Sequence, residues 1–169
     1  MFDLTAFNLL ADEAASRELE KCCSAKSWGR RVAARRPFAT FAELRAAADE
    51  VWWSLAPADW LEAFSGHPKI GEQRGPQHAS AQAQHWSKQE QSGVSEGNDE
   101  TAALLAKLNR EYEEKFGYIF IVCASGKSAA EMLAILRERL DNDAATELPV
   151  AAGEQAKITQ LRLAKLLNC

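Results

Sequence analysis

The chain has 169 residues, of which 47% are hydrophobic, and a formal net charge of −4. That length suits a single domain, residues 1–169, with a core large enough to fold without staples. The acidic balance argues against a general nucleic-acid binder, which would carry a basic face, and no apolar run approaches the roughly 20 residues of a membrane span.

Alanine is abundant and β-branched residues are sparse, which favours helices. Phe7, Leu10, Ala11, Ala14 and Ala15 mark one face of a first helical stretch. Ser27 is placed to cap a short helix, WGRRVAAR, that must stop near Arg36 because Pro37 follows. Thr40 and Glu43 have the spacing of a capping box at the head of TFAELRAAADEVWWSL. Pro57 suits the first turn of PADWLEAF, and Gly66 suits its end. HPKIGEQRGPQHAS, residues 67–80, reads as an ordered loop, followed by a polar helix around HASAQAQHWSKQEQ and a second break at SGVSEGND. Asp99 to Phe116 is a long amphipathic helix, with Leu104, Leu105, Leu108, Tyr112 and Phe116 on one face and Gly117 at its end. YIFIVCA, 118–124, is β-like but has no partner strand, so it is expected as a buried extended link. SAAEMLAILRERL and AATELPVAAGEQAKITQLRLAKLL close the chain as helices, with Pro149 bending or starting the last one. The expectation is an all-α, single-domain helical bundle of about seven to nine helices with one short extended segment near 118–124.

The four cysteines show no CxxC spacing, so neither a zinc site nor a disulfide framework is suggested. Free thiols fit a reducing compartment, and the N-terminal stretch is too acidic and too briefly apolar for a signal peptide. A soluble, cytoplasmic protein is expected.

His67 is the first candidate for chemistry. It follows the expected helix stop and precedes Pro68, which restricts its backbone to extended conformations. An imidazole titrates near neutrality and exchanges protons readily; equally, a histidine at a helix end can simply bond the last carbonyls. Ser87, Glu90 and Gln91 share a helix face and offer a hydroxyl, a carboxylate and an amide, a set suited to a urea-like or imide-like ligand. The same Ser-x-x-Glu spacing is also that of a capping box. His78 and His85 are seven residues apart, about 10.5 Å along a helix axis and too far for one metal ion, and no HExxH motif occurs. IFIVCASGKS resembles a P-loop, but the glycine needed five residues before Gly126 is Ile121. What survives is an extended backbone whose N–H and C=O groups either bind a planar polar ring or pair internally. Trp52, Trp53 and Trp60 read as core, and Arg137, Arg139 and Arg162 as surface charges on helices.

Taken in order, the motifs HPKIG, WSKQEQSGV, LNREYEEKFGYIFIVCASGKS and ITQLRLAKLL resemble the 2-oxo-4-hydroxy-4-carboxy-5-ureidoimidazoline (OHCU) decarboxylases, bacterial type. FN at 7–8, the Cys22-Cys23 pair, RPF at 36–38 and DWLEAFSGHPKIG add to the likeness, which covers nearly the whole chain. The resemblance implies an all-helical, cofactor-free and metal-free carboxy-lyase acting on a small ureido-imidazoline in the conversion of urate to (S)-allantoin. It implies a catalytic role for His67, beside Pro68, and for Glu90. It implies that Pro68, Ser87, Gln91, the backbone of Phe120, Ile121, Val122, Cys123 and Ala124, and Arg162 contact the substrate. No nucleic acid or membrane is implied as a partner; a homodimer is compatible with it. The competing expectation is a non-catalytic helical module that binds ureides or other proteins.

Overall fold

A computed structural model describes residues 2–71, 76, 79–93 and 99–168. Among these, nine helices and no strand occur: α1 (Leu4–Asn8), α2 (Asp12–Glu20), α3 (Lys26–Ala33), α4 (Phe41–Trp53), α5 (Pro57–Ser65), α6 (Ala81–Glu90), α7 (Asp99–Phe116), α8 (Ala129–Leu140) and α9 (Ala144–Leu167). The all-α expectation holds, and the interior parts of the loops at 67–80 and 92–99, with His78, lie outside the described residues. The helices gather into two compact units, Met1–Ala63 with Ala156–Cys169, and Phe64–Gln155. None of the described helices is long and apolar enough to cross a membrane.

Local sequence accounts for most helix ends. The Thr40 hydroxyl accepts from the Glu43 N–H at 3.2 Å, while the Glu43 carboxylate accepts from the Ala39 N–H at 2.8 Å, one residue before the usual partner. A full reciprocal box forms instead at Ser128 and Glu131. Its backbone and hydroxyl bonds hold the Glu131 carboxyl below the usual carboxylate range. Ser27 does not cap α3: the helix starts at Lys26 behind Ala25, which places Ser27 inside the first turn. Gly117 ends α7 at φ 79°, its N–H bonded to the Glu113 carbonyl at 2.8 Å. Pro149 lies inside α9, so the last helix neither starts nor stops there.

In the first unit, α2 packs on α3 and α3 on α4 around Phe7, Leu19, Trp28, Leu44 and Leu163. The Trp28 indole N–H donates to the Ala48 carbonyl at 3.0 Å. Arg36 donates to the carbonyls of Phe7, Leu10 and Ala33 and pairs with Asp12 at 2.6 Å. Asn8 and Phe38 exchange two hydrogen bonds. The FN and RPF motifs are therefore joints between the first helices. Trp52 is core, but Trp53 is 46% exposed and sets its edge against Trp60.

In the second unit, α7 packs on α8. The link 118–124 runs beside them, buried from Phe120 to Ala124, with Phe120, Val122 and Ala124 in one apolar cluster with Leu105, Tyr112, Met132 and Leu136. Two of the three arginines expected on the surface are buried: Arg139 is 6% exposed and Arg162 3%. Arg139 succeeds inside because each of its three nitrogens finds an acceptor. It donates to Glu147 at 2.7 Å and to the Ile121 carbonyl at 2.5 Å, and lies over the rings of Tyr112 and Phe120. Glu147, fully buried, also accepts from the Tyr112 hydroxyl and from Asn142 at 2.7 Å.

Candidate functional site

His67 sits in the turn that follows α5, half-buried, with its N–H bonded to the Phe64 carbonyl at 3.1 Å. Its backbone therefore finishes the helix, while its imidazole is directed elsewhere: Nε2 lies 2.7 Å from Oε1 of Gln155, a fully buried residue of α9. The rest of the HPKIG loop is fixed from three sides. The Ile70 carbonyl accepts from Asn109 at 3.1 Å, Lys69 pairs with Glu113 at 2.6 Å, and the Gly71 N–H donates to Oε1 of Gln91 at 3.0 Å.

The last of these bonds joins the loop to the Ser87-x-x-Glu90-Gln91 motif. The two readings of that motif are separated by the position of the cap. Ser80 caps α6, its hydroxyl accepting from the Ala83 N–H, so Ser87 and Glu90 fall in the last turns of the helix. Both are buried, at 4% and 8% exposure, beside Trp86 at 6%. A carboxylate kept that far from water near a helix end needs a reason beyond capping. Gln91 is committed through its oxygen to Gly71, so its part in the site includes holding the histidine loop.

The extended link shows an alternation that its sequence does not announce. Successive residues of an extended chain turn their N–H and C=O groups to opposite edges. On one edge the Ile121 carbonyl accepts from Arg139, the Cys123 N–H donates to Glu154 at 2.7 Å, and the Cys123 carbonyl accepts from Lys127 at 2.7 Å. On the other edge, among the described residues, neither backbone group of Val122 is engaged. The Lys127 of the P-loop-like turn is thus a strut for the link. Burial pushes the Cys123 thiol above its ordinary range; the Lys127 charge opposes that push, and the charges of Glu154 and Glu90 add to it. Gly93 lets these parts meet. A Cβ there would stand 2.3 Å from the Lys127 carbonyl oxygen, so only glycine admits the close approach of the α6 end to the turn after the link.

His67, Pro68, Ser87, Glu90, Gln91 and the link all belong to the second unit, together with Glu154 and Gln155, which the motif reading missed. Arg162 belongs to the first unit, where its charge opposes the upward push that burial gives the thiols of Cys22 and Cys23. The signal for Gln155 was present but quiet: a polar residue at helical spacing from Ala151, Ala152, Ile158 and Thr159, all buried, on the inward face of α9. Among the described residues no group of three His, Cys, Asp or Glu side chains is arranged to hold a metal ion.

These features define a class: a small all-α protein that brings an imidazole, a buried carboxylate and a backbone edge not engaged among the described residues into one unit, a set fitted to proton exchange with a planar polar ligand. The OHCU decarboxylase family profile matches residues 8–164. The uric acid degradation bifunctional protein TTL of Arabidopsis thaliana is 38% identical over 94% of this chain, which spans 49% of that protein's length. The 2-oxo-4-hydroxy-4-carboxy-5-ureidoimidazoline decarboxylase of Amia calva is 34% identical, over 79% of this chain and 76% of its own. A crystal structure of OHCU decarboxylase in the presence of (S)-allantoin superposes with a TM-score of 0.78 at 36% identity, covering 95% of this chain and all of the other. The chain belongs to the OHCU decarboxylase family.

Proposed function

We propose that this chain decarboxylates 2-oxo-4-hydroxy-4-carboxy-5-ureidoimidazoline to (S)-allantoin in urate breakdown, with His67 and Glu90 as its catalytic residues. The observation that carries the reading is the bond from the Gly71 N–H to Gln91, which ties the histidine loop to the helix end bearing the buried Glu90.

The chemistry asks little of a cofactor. When the carbon–carboxylate bond breaks, its electron pair passes into the adjacent ring imine, whose nitrogen takes a proton, and an enol remains. His67 removes the hydroxyl proton and returns one to the neighbouring ring carbon from a single face, which sets one enantiomer. Glu90 accepts hydrogen bonds from the ring and ureido N–H groups. The Ser87 hydroxyl, the Gln91 amide nitrogen and the Val122 backbone hold the heterocycle, with Phe120, Ile121, Cys123 and Ala124 shaping that edge and Pro68 contacting the ligand beside His67. Arg162 is carried over from the family likeness alone, as the candidate counter-charge for a substrate carboxylate.

The test couples urate, uricase and hydroxyisourate hydrolase with and without this protein, following optical rotation. Added protein is expected to turn slow racemic product formation into fast formation of one enantiomer. His67→Ala and Glu90→Gln are each expected to lower the rate by about 10²–10⁴-fold. Wild-type rates in both variants would overturn the assignment, and ligand binding without turnover would favour the non-catalytic module. Buried thiols at Cys22, Cys23 and Cys123 support a reducing, cytoplasmic location, which fractionation checks; sedimentation checks the homodimer.

A further inference from the structure

We infer that Gln155 is a positioning residue that fixes the tautomer of His67, protonating Nε2 and leaving Nδ1 as the atom that exchanges protons. The kinetic part of this rests on the catalytic role proposed for His67; the tautomer does not.

Gln155 is fully buried on α9, on a face shared with Ala151 and Ala152, also fully buried. A buried amide keeps its place only if its polar atoms are bonded. Its oxygen lies 2.7 Å from Nε2 of His67. A carbonyl oxygen is an acceptor only, and a neutral imidazole has one N–H, so the proton of the ring stands on Nε2 and the lone pair on Nδ1. The residue before it, Glu154, presents its carboxylate to the Cys123 N–H at 2.7 Å. Neighbouring helical residues project about 100° apart, and this pair uses the difference to address two parts of the site from one turn of helix. The ring and the backbone edge of the link are thereby set by the same rigid element.

The choice of an amide has a chemical consequence. Oε1 accepts from Nε2–H whether the ring is neutral or cationic, so it keeps the ring oriented while Nδ1 takes the hydroxyl proton and later delivers it to carbon. An amide adds no charge of its own, so it leaves the ring free to cycle between the two forms.

The test is two-bond 1H–15N correlation spectroscopy on the intact protein at a pH where His67 is neutral, with the resonance assigned by its loss in His67→Asn. The wild type is expected to show unprotonated Nδ1 and protonated Nε2. Gln155→Met, which keeps length and removes the acceptor, is expected to show a mixture of tautomers. Its kcat should fall at least about tenfold while KM moves less than about threefold, because orientation is felt in the transition state. A wild-type ring protonated on Nδ1 overturns the inference, and that reading needs no variant to fold. So does Gln155→Met with an unmixed Nε2–H tautomer and wild-type kcat. If the tautomer is as stated but His67→Ala turns over normally, the proposed catalytic role fails and the positioning by Gln155 stands.

Discussion

Removing Arg139 tests the account of the second unit most directly. Its guanidinium is 7% exposed and its partner Glu147 is fully buried, so neither is screened by water. Arg139→Met fills similar space but leaves Glu147 with only the Tyr112 hydroxyl and Asn142 as partners, and leaves the Ile121 carbonyl without its donor. Breaking one side of a buried pair costs about 3–5 kcal/mol. For a chain of this size each kcal/mol moves the melting temperature by about 2–4 °C, so a fall of roughly 6–20 °C is expected. Adding Glu147→Gln removes the stranded charge while keeping an acceptor for Tyr112. In a double-mutant cycle by urea denaturation the pair should couple by about 1–3 kcal/mol. Arg139→Met costing under about 1 kcal/mol, or a double variant additive to within about 0.5 kcal/mol, would refute the claim that this network holds the link in place.

Gly93→Ala should separate site geometry from stability. The added Cβ meets the Lys127 carbonyl at 2.3 Å, and relieving such overpacking costs about 1–3 kcal/mol; at a temperature where the variant is fully folded, turnover should still fall well below wild type, and unchanged turnover would show that the α6 end need not approach the link so closely. The adjacent thiols give a pH test. Burial pushes Cys23 up from 9.0 to about 12, and Cys22 also upward. The stability linked to keeping these thiols protonated is complete below the unfolded value near 9 and declines as pH rises from there through about 12 for Cys23. The urea midpoint should therefore fall between pH 8 and 10.5 more steeply in the wild type than in Cys22→Ala/Cys23→Ala, and equal slopes would refute it.

What the sequence made legible was local. The period of apolar residues located α7, Thr40 and Gly117 marked helix ends, and the lack of a partner strand made 118–124 a link rather than a sheet, because each of these depends on residues a few positions apart. Residue chemistry and spacing singled out His67 and the Ser87-Glu90-Gln91 set, and the family likeness then supplied their roles. The misses share a cause. Ser87-x-x-Glu90 and Ser128-x-x-Glu131 have the same spacing, and only the upstream Ser80 decides which is a cap. Arg139 looks like any helical arginine until Glu147 and the Ile121 carbonyl are placed around it. Gln155 lies 88 positions from the imidazole it meets. Such contacts are set by how helices pack, which no local pattern records. Val122 is the mildest case: alternation along an extended strand says that one edge faces each way, but not which edge the protein uses for itself.

The burial of Trp86 beside Ser87 and Glu90 has a spectroscopic consequence. The other four tryptophans, Trp28, Trp52, Trp53 and Trp60, all fall in the first unit. The unit that holds the histidine, the carboxylate and the link therefore contains a single indole, one residue from Ser87 and one helical turn from Glu90. With fluorotryptophan incorporated, one fluorine resonance out of five, identified by Trp86→Phe, reports from inside that unit without any label being attached. Occupancy of the site by allantoin, and any rearrangement of α6 that accompanies it, would then be followed as the shift and width of that line, while the other four serve as an internal reference for the integrity of the rest of the chain.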